Sequence, residues 1–527
     1  MQGSLLAVLV LSVLLAGLAR RFNLSAPLGL VVAGLAISTI PGFTNIELDP
    51  ELVLYVLLPP LLWSAGLESS YIGLKRNIGP IGLLAVGLPL ATTFAVGFVA
   101  YQTVPEVTVA AGLTLGAIVA PPDAVSATAV GRKLGLPRGV MTLLGGESLL
   151  NDATALTAYK VALAAAIGTS ASWGTGLVTF ALAAGVGVAV GIVLGSTIAY
   201  IRARLDDPLV ESALGLVAPF VIYLAAEEMR GSGVLAVVVA ALILGQRSFH
   251  AGYQTRLQDV AVWKAFQLVL ESFAFLLIGL QLPTVVGELK GIPALVIIVS
   301  SAAVFMTVLL VRIVWMYAFA YLPRLGPRRA DESPPSHAQV FVVAWAGMRG
   351  VVSLAAAFAV PITTLSGEPF PGRPHIVFLT FVVVIGTLLL HGLTLPWLIR
   401  RLGVQGDDAR SDAIATAAAQ EKAAQAAADR LEELLADPAT SDVDERAADV
   451  LRAWNIRRRN SAWERLGRDA DEIGESPTST FRRLRLEMLA AERATFIAER
   501  DAGNIDDEVL RSVLHGLDLE EATLNQS

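Results

Sequence analysis

Long apolar runs, each about as long as a membrane-crossing helix, follow one another from the N-terminus to about residue 400. A helix needs about 20 apolar residues to cross the hydrocarbon of a bilayer, with a range of roughly 17–25. On that measure the pattern predicts thirteen spans, at 4–19, 24–41, 50–68, 78–102, 107–130, 138–168, 174–201, 208–227, 231–246, 261–283, 291–322, 337–361 and 374–400. After Gly403 the pattern changes, and apolar positions recur singly among Ala, Glu and Arg, as on helices with a watered face. Stretches at 408–436, 442–467, 478–501 and 505–516 read as soluble helices, broken by Asp437-Pro438 and Gly474-Glu475-Ser476-Pro477. The expected fold is all-α: a polytopic membrane domain over 1–403 and an acidic helical tail over 404–527.

Charge sharpens that division. Of 527 residues 54% are hydrophobic and 16% charged, whereas a soluble domain carries about 25% charged residues. The membrane part holds 23 basic and 19 acidic residues, and the tail 16 and 27, so the net charge of −7 comes from the tail. That acidity suggests no nucleic-acid partner. Loop cations alternate in side. Arg20, Arg21, Lys75, Arg76, Arg132, Lys133, Arg138, Arg202, Arg204, Arg247, Arg256, Arg324, Arg328, Arg329, Arg400 and Arg401 fall in one set of loops. Only Arg230, Lys290 and Arg373 fall in the other. Positive loops stay in the cytoplasm, which puts the N-terminus outside and the tail inside, and requires an odd number of spans. No Lys or Arg precedes the first apolar run, so it does not read as a signal peptide. There is no cysteine, which excludes disulfides and thiolate chemistry.

An ionisable side chain at mid-membrane is costly and marks a functional candidate. The fifth span runs into Ala120-Pro121-Pro122-Asp123. Two prolines remove two backbone donors and break the helix, and broken backbone at that depth must line protein or a wet cavity. Asp123 sits at the break, to cap the following half-helix, to bind an ion, or both. The sixth span carries Glu147, Ser148, Asn151 and Asp152, which fall within a sector of about 140° on a helix. Ser148 lies one turn before Asp152, so both oxygens can address one small cation, and an oxygen-only set suits hard ions. In the twelfth span Arg349 lies between Gly347 and Gly350. A buried guanidinium needs a carboxylate, and Glu147, at similar depth, is its expected partner. Lys160 reads as structural, by pairing or snorkelling, and Arg312 as a snorkelling cation. Glu68 and Glu271 read equally well as cavity-lining groups or helix-end charges.

The two broken spans are seven apart and therefore antiparallel. Spans 1–6 and 8–13 would then form two inverted repeats with span 7 as linker, a pattern that points to a secondary transporter with a midplane site. No GxxxxGK[ST] or HExxH pattern occurs, so energy comes from an ion gradient and no resident cofactor is expected. Five histidines, at 250, 337, 375, 391 and 515, support no metal centre. Burial disfavours a charged carboxylate and a nearby cation restores it. Asp152 would therefore hold a proton or a small cation, not both, which suffices for exchange. A cation channel and a membrane enzyme using Asp123 and Asp152 as an acid pair are the competing classes.

The segment Gly146-Glu147-Ser148-Leu149-Leu150-Asn151-Asp152-Ala153-Thr154-Ala155-Leu156 resembles the signature of bacterial sodium/proton antiporters of the first monovalent cation:proton antiporter family, relatives of animal sodium/hydrogen exchangers. Leu58-Pro59-Pro60-Leu61-Leu62, Ala120-Pro121-Pro122-Asp123, Gly347-Met348-Arg349-Gly350 and His391-Gly392-Leu393-Thr394-Leu395-Pro396 match in the family's order. The resemblance implies thirteen helices in an inverted repeat, with core helices over about 78–168 and 291–400 and dimer-interface helices over about 1–68 and 174–283. It implies a homodimer in the bacterial plasma membrane, serving pH and sodium homeostasis. It makes Asp152 the essential acid, with Asp123, Ser148 and a carbonyl near Pro122 as further ligands of transported Na+, and Glu147–Arg349 as the core salt bridge. Electroneutral members carry Asn-Asp where Asn151-Asp152 stands, which implies one Na+ (or Li+) per proton; K+/H+ exchange at the same site is the alternative. Two departures bear on selectivity. Pro-Pro-Asp replaces the frequent Thr-Asp-Pro, and Trp63-Ser64-Ala65 replaces Phe-Glu-Ala, leaving an acid only at Glu68.

Overall fold

The computed structural model describes residues 2–22, 25–40, 52–123, 128, 131, 134–168, 173–205, 207–248, 251–289, 291–321, 336–404, 408–436, 445–464, 477–502, 504 and 507–526. The loop cations Arg132, Lys133, Lys290, Arg324, Arg328 and Arg329 lie outside the described residues, as do residues 124–127 and the tail breaks at 437–438 and 474–476. The chain divides into two compact units, Met1–Gly406 and Asp407–Ser527. Among the described residues the only β contact is an isolated bridge between Thr363 and Pro369.

Among the described residues the first unit is built from helices: α1 (Gln2–Arg21), α2 (Ala26–Ile37), α3 (Leu58–Glu68, entered through a π-turn at Leu52–Leu57), α4 (Tyr71–Arg76), α5 (Ile78–Gly82), α6 (Leu88–Thr103, joined to α5 by a π-turn), α7 (Val109–Val119), α8 (Arg138–Ala166), α9 (Trp173–Arg202), α10 (Pro208–Glu228), α11 (Gly233–Arg247), α12 (Tyr253–Gly287), α13 (Ala294–Tyr321), α14 (His337–Trp345), α15 (Val351–Phe358) and α16 (Arg373–Leu402). Each predicted apolar window holds helix. Among the described residues six helices are long and apolar enough to cross a membrane by themselves: Ile78–Thr103, Val178–Arg202, Pro208–Glu228, Tyr253–Gly287, Ala294–Tyr321 and Arg373–Leu402. Hydroxyl and carboxylate caps start several helices. Thr108 accepts from Ala111 N on α7, Asp207 from Leu209 N on α10 and Ser232 from Leu235 N on α11. Ser336 and Gln339 form a reciprocal capping box on α14.

Small residues set how closely these helices approach. Gly187, Gly191 and Gly195 recur every fourth residue on α9 and lie against Ser232, Ala236 and Ala240 of α11, where an added Cβ would enter the neighbouring backbone. Lipid offers no hydrophobic drive for helix association, so close backbone packing at such stripes supplies it. Gly116 of α7 is similarly pressed against Thr93 of α6, which places the end of α7 in the protein interior. Outward faces are apolar instead of charged: Leu6, Val10, Leu14 and Leu18 repeat every fourth residue along α1, and Leu295, Ile298, Met306, Leu310 and Val314 line α13, all exposed. Exposed apolar stripes of this extent mark contact with lipid or protein.

The second unit contains α17 (Asp408–Ala436), α18 (Glu445–Glu464), α19 (Pro477–Asp501) and α20 (Asp507–Gln526). The last helix outruns its expected end at 516. Gly516 does not stop it, because the far turns are tied to α19: Arg485 meets Glu520 at 2.6 Å, and Arg493 meets Asp518 at 2.8 Å and Glu521 at 2.6 Å. Hydrogen bonds from Arg485 hold the Glu520 carboxyl below its usual range.

Candidate ion-binding site

Two interruptions meet inside the first unit. Helix α7 stops at Val119, ahead of Pro121 and Pro122, and residues 120–123 belong to no helix. Helix α14 stops at Trp345, and residues 346–350 are non-helical until α15 begins at Val351. The freed backbone of one break pairs with the other: Asp123 N donates to Met348 O at 2.7 Å. Asn151 Nδ2 of α8 donates to Pro122 O at 2.8 Å, docking the acidic stretch of α8 on the same crossing.

Each broken helix ends on a buried arginine. Arg349 donates through Nε to Val119 O, the last residue of α7, at 3.1 Å, and through Nη1 to Gly347 O. Its own backbone N–H reaches Thr387 Oγ1 of α16 at 3.0 Å. Arg312 of α13 donates to Ala344 O at 3.0 Å and Val343 O at 3.1 Å in the last turn of α14. Cations at helix C-termini offset the partial negative charge of unpaired carbonyls.

The expected Glu147–Arg349 salt bridge is corrected by this geometry. Glu147 pairs with Arg312, whose Nη1 and Nη2 lie 2.5 and 2.9 Å from its two carboxylate oxygens. Both side chains are about 2% exposed, so Arg312 does not snorkel. The planar fork of one guanidinium matches both oxygens of one carboxylate, which leaves Arg349 to the carbonyls of the crossing.

Asp123 lies over the Cα of Gly350, the residue that caps α15. A Cβ there would collide with Asp123 Oδ2. The glycine thus makes room for a carboxylate at the positive end of a half-helix. Asp152 and Ser148 are half-buried one turn apart on α8, as the helical spacing requires. Asn151 is fully buried, and its Oδ1 has no hydrogen-bond partner among the described residues. Pro122 O has a second lone pair beyond the one that Asn151 uses. The Asp123 carboxylate and the Pro122 carbonyl lie at the crossing, and Asp152 and Ser148 stand on the helix that Asn151 docks there; together they offer an oxygen-only donor set of the kind that suits a hard monovalent cation.

Other candidates lie elsewhere. Glu68 is exposed on the wall of a separate cavity at the end of α3. Glu271 accepts from Gln267 Nε2 at 2.6 Å, and Gln267 Oε1 accepts from Ser64 Oγ at 3.0 Å, which ties α12 to α3. Lys160 pairs with Glu227 of α10 at 2.7 Å, a partner that the sequence did not indicate.

Comparison with known proteins settles the class. Residues 7–401 match the family model for the transmembrane part of sodium/hydrogen exchangers. The chain belongs to that family. This exchanger is 33% identical over 522 residues to an uncharacterized Na(+)/H(+) exchanger of Mycobacterium bovis, covering 96% of this chain and 93% of the relative. It is 34% identical over 387 residues to the Na(+)/H(+) antiporter ApNhaP of Aphanothece halophytica, covering 72% and 70%. It is 33% identical over 414 residues to a sodium, potassium, lithium and rubidium/H(+) antiporter of Bacillus pumilus, covering 75% and 61%. Its fold is similar to that of the sodium proton antiporter MjNhaP1 from Methanocaldococcus jannaschii, with a TM-score of 0.59 over 76% of this chain and 98% of that one at 22% identity. The exchanger is thus a membrane antiporter of Na+ or a related monovalent cation against H+, a transporter and not an enzyme.

Proposed function

We propose that the exchanger swaps Na+ or Li+ for H+ one for one by competition at Asp152. The reading rests on one observation above others: Asn151, the residue beside Asp152, is hydrogen-bonded to the broken backbone at Pro122. A carboxylate at such a crossing is poorly solvated, so it is neutralised by a proton or by a cation. Ser148, Asp123 and the Pro122 carbonyl complete the cation's shell. Asn151 leaves Asp152 the single acid of that neighbouring pair, which suits one Na+ per proton. Arg312–Glu147 and Arg349 hold the two breaks together. No cofactor takes part.

In this reading thirteen helices cross the bacterial plasma membrane as inverted repeats, with the N-terminus outside and the tail in the cytoplasm. The core helices over about 78–168 and 291–400 move against the interface helices over about 1–68 and 174–283, which also form a homodimer. K+/H+ exchange is the second reading. It is favoured by the missing threonine in Ala120-Pro121-Pro122-Asp123 and by the likeness to the sodium, potassium, lithium and rubidium/H(+) antiporter of Bacillus pumilus. Proteoliposomes with an internal pH dye test both. Na+ and Li+ should drive proton movement with K+ inactive, and an imposed membrane potential should leave the rate unchanged. Equal activity with K+ overturns the preferred selectivity, and a voltage-dependent rate overturns the one-to-one exchange.

A further inference from the structure

A second cavity lies away from the crossing. It encloses about 830 Å³ between α3, α9, α10, α11 and α12, and none of its lining residues comes from α7, α8, α14, α15 or α16. Its mouth is formed where α9 and α11 end and α10 and α12 begin, the end of the bundle at which Arg202, Arg247 and Arg256 gather. Its lining includes the apolar side chains of Leu67, Leu244, Val260 and buried Trp263.

The charges of this cavity are unevenly committed. Asp259 is taken by Arg202 Nη2 at 2.7 Å and by Ser212 Oγ at 2.7 Å. Buried Glu211 accepts from Thr255 Oγ1. Glu68 lies on the same wall. Arg247, at the end of α11, and Lys264, on α12, both line the cavity, are exposed, and form no ion pair among the described residues. Arg256 adds a third cation at the mouth. Two cations without an ion pair among the described residues, in a cavity with apolar lining at the end of a membrane bundle, match an amphiphile with an anionic head and an apolar body. The volume falls within the range of roughly 300–1,000 Å³ typical of small-molecule sites.

We propose that this cavity binds a phosphate-bearing anion, with Arg247 and Lys264 as its direct ligands. The shared chemistry is the phosphate. The apolar part of the lining and the place at the end of a membrane bundle favour an anionic phospholipid headgroup as its source over free phosphate. The proposal does not depend on which cation Asp152 exchanges.

The test uses the purified full chain in detergent, with binding read as a shift of thermal midpoint and by native mass spectrometry. Phosphatidylglycerol, phosphatidylcholine and inorganic phosphate are titrated separately. Phosphatidylglycerol should raise the midpoint and remain bound, with phosphatidylcholine inert. Each cation beside an anionic headgroup contributes about a factor of five to affinity, so Arg247→Gln/Lys264→Gln should weaken binding roughly thirty-fold. Lys75→Gln, an exposed cation outside the cavity, should leave it unchanged. A shift with inorganic phosphate alone, lost in the double variant, keeps the phosphate site but assigns it to a soluble anion. Equal response to phosphatidylglycerol and phosphatidylcholine with no response to phosphate, or full retention of binding in a double variant whose unliganded midpoint matches the parent, overturns the proposal.

Discussion

Removing one partner of the Glu147–Arg312 pair should expose how much of the crossing depends on it. Both side chains are about 2% exposed and share two short bonds, at 2.5 and 2.9 Å. Glu147→Gln leaves a buried guanidinium without its counter-ion, at a cost of about 3–5 kcal/mol, and Arg312→Met leaves the carboxylate alone at a similar cost. The double variant Glu147→Gln/Arg312→Met has no stranded charge. Its main remaining deficit is the two carbonyls of Val343 and Ala344, about 1–3 kcal/mol each at most. The two single losses together therefore exceed the double loss by about 4 kcal/mol. Equilibrium unfolding in mixed micelles, followed by tryptophan fluorescence, measures that coupling. The same cycle with Arg349→Met in place of Arg312→Met should give a smaller value, because Arg349 is bonded to carbonyls and not to Glu147. A larger coupling for Glu147 with Arg349 than with Arg312 would refute the assigned pairing.

Three further outcomes follow from other contacts. Gly350→Ala drives a Cβ into the Asp123 carboxylate; displacing a site group by about 1 Å can cost a hundredfold, so exchange in proteoliposomes should fall by about that factor while the chain remains folded by gel filtration. Lys160→Met removes a pair whose lysine is 57% exposed, and screening limits the cost to under about 1 kcal/mol; a larger loss in the micelle assay would show that the α8–α10 contact bears more than its exposure suggests. In the tail, Arg485 lowers the Glu520 pKa from its ordinary 4.5, so the contribution of this pair is fully present above pH 4.5 and is lost as pH falls through the lowered value. Protection of residues 507–526 against hydrogen exchange in the full chain, taken relative to the unstructured-chain rate at each pH, should therefore fall in acid and be unchanged between pH 6 and 8; protection that is constant down to pH 3 would contradict this.

Much of the architecture is legible in the chain because lipid leaves few choices. Apolar runs must be helices, and a pair of prolines inside one must break it, as at Pro121-Pro122. The glycines around Arg349 carry the same message for the second break. The spacing of Ser148 and Asp152 follows from helical periodicity alone. Partnership between distant residues is another matter. Arg312 lies in the apolar run Val311-Arg312-Ile313 about three turns from the helix end, where snorkelling and burial look alike in sequence. Its carboxylate is 165 positions away. Two buried arginines competed for Glu147, and only the packing of α13 against α14 decides between them. The partner of Lys160 was hidden for the same reason: Glu227 stands at a helix end, where a charge has no need of a partner.

The central claim is that one carboxylate, Asp152, is shared by turns between a proton and an alkali cation. Proton release measures it without transport. Purified exchanger in weakly buffered detergent, at a pH where the site is protonated, is mixed with saturating NaCl and followed with a pH indicator, with choline chloride as the control. About one proton per chain should appear with the native protein and none with Asp152→Asn. Equal release from both proteins, or Na+ binding to the native chain with no proton released, would contradict the account.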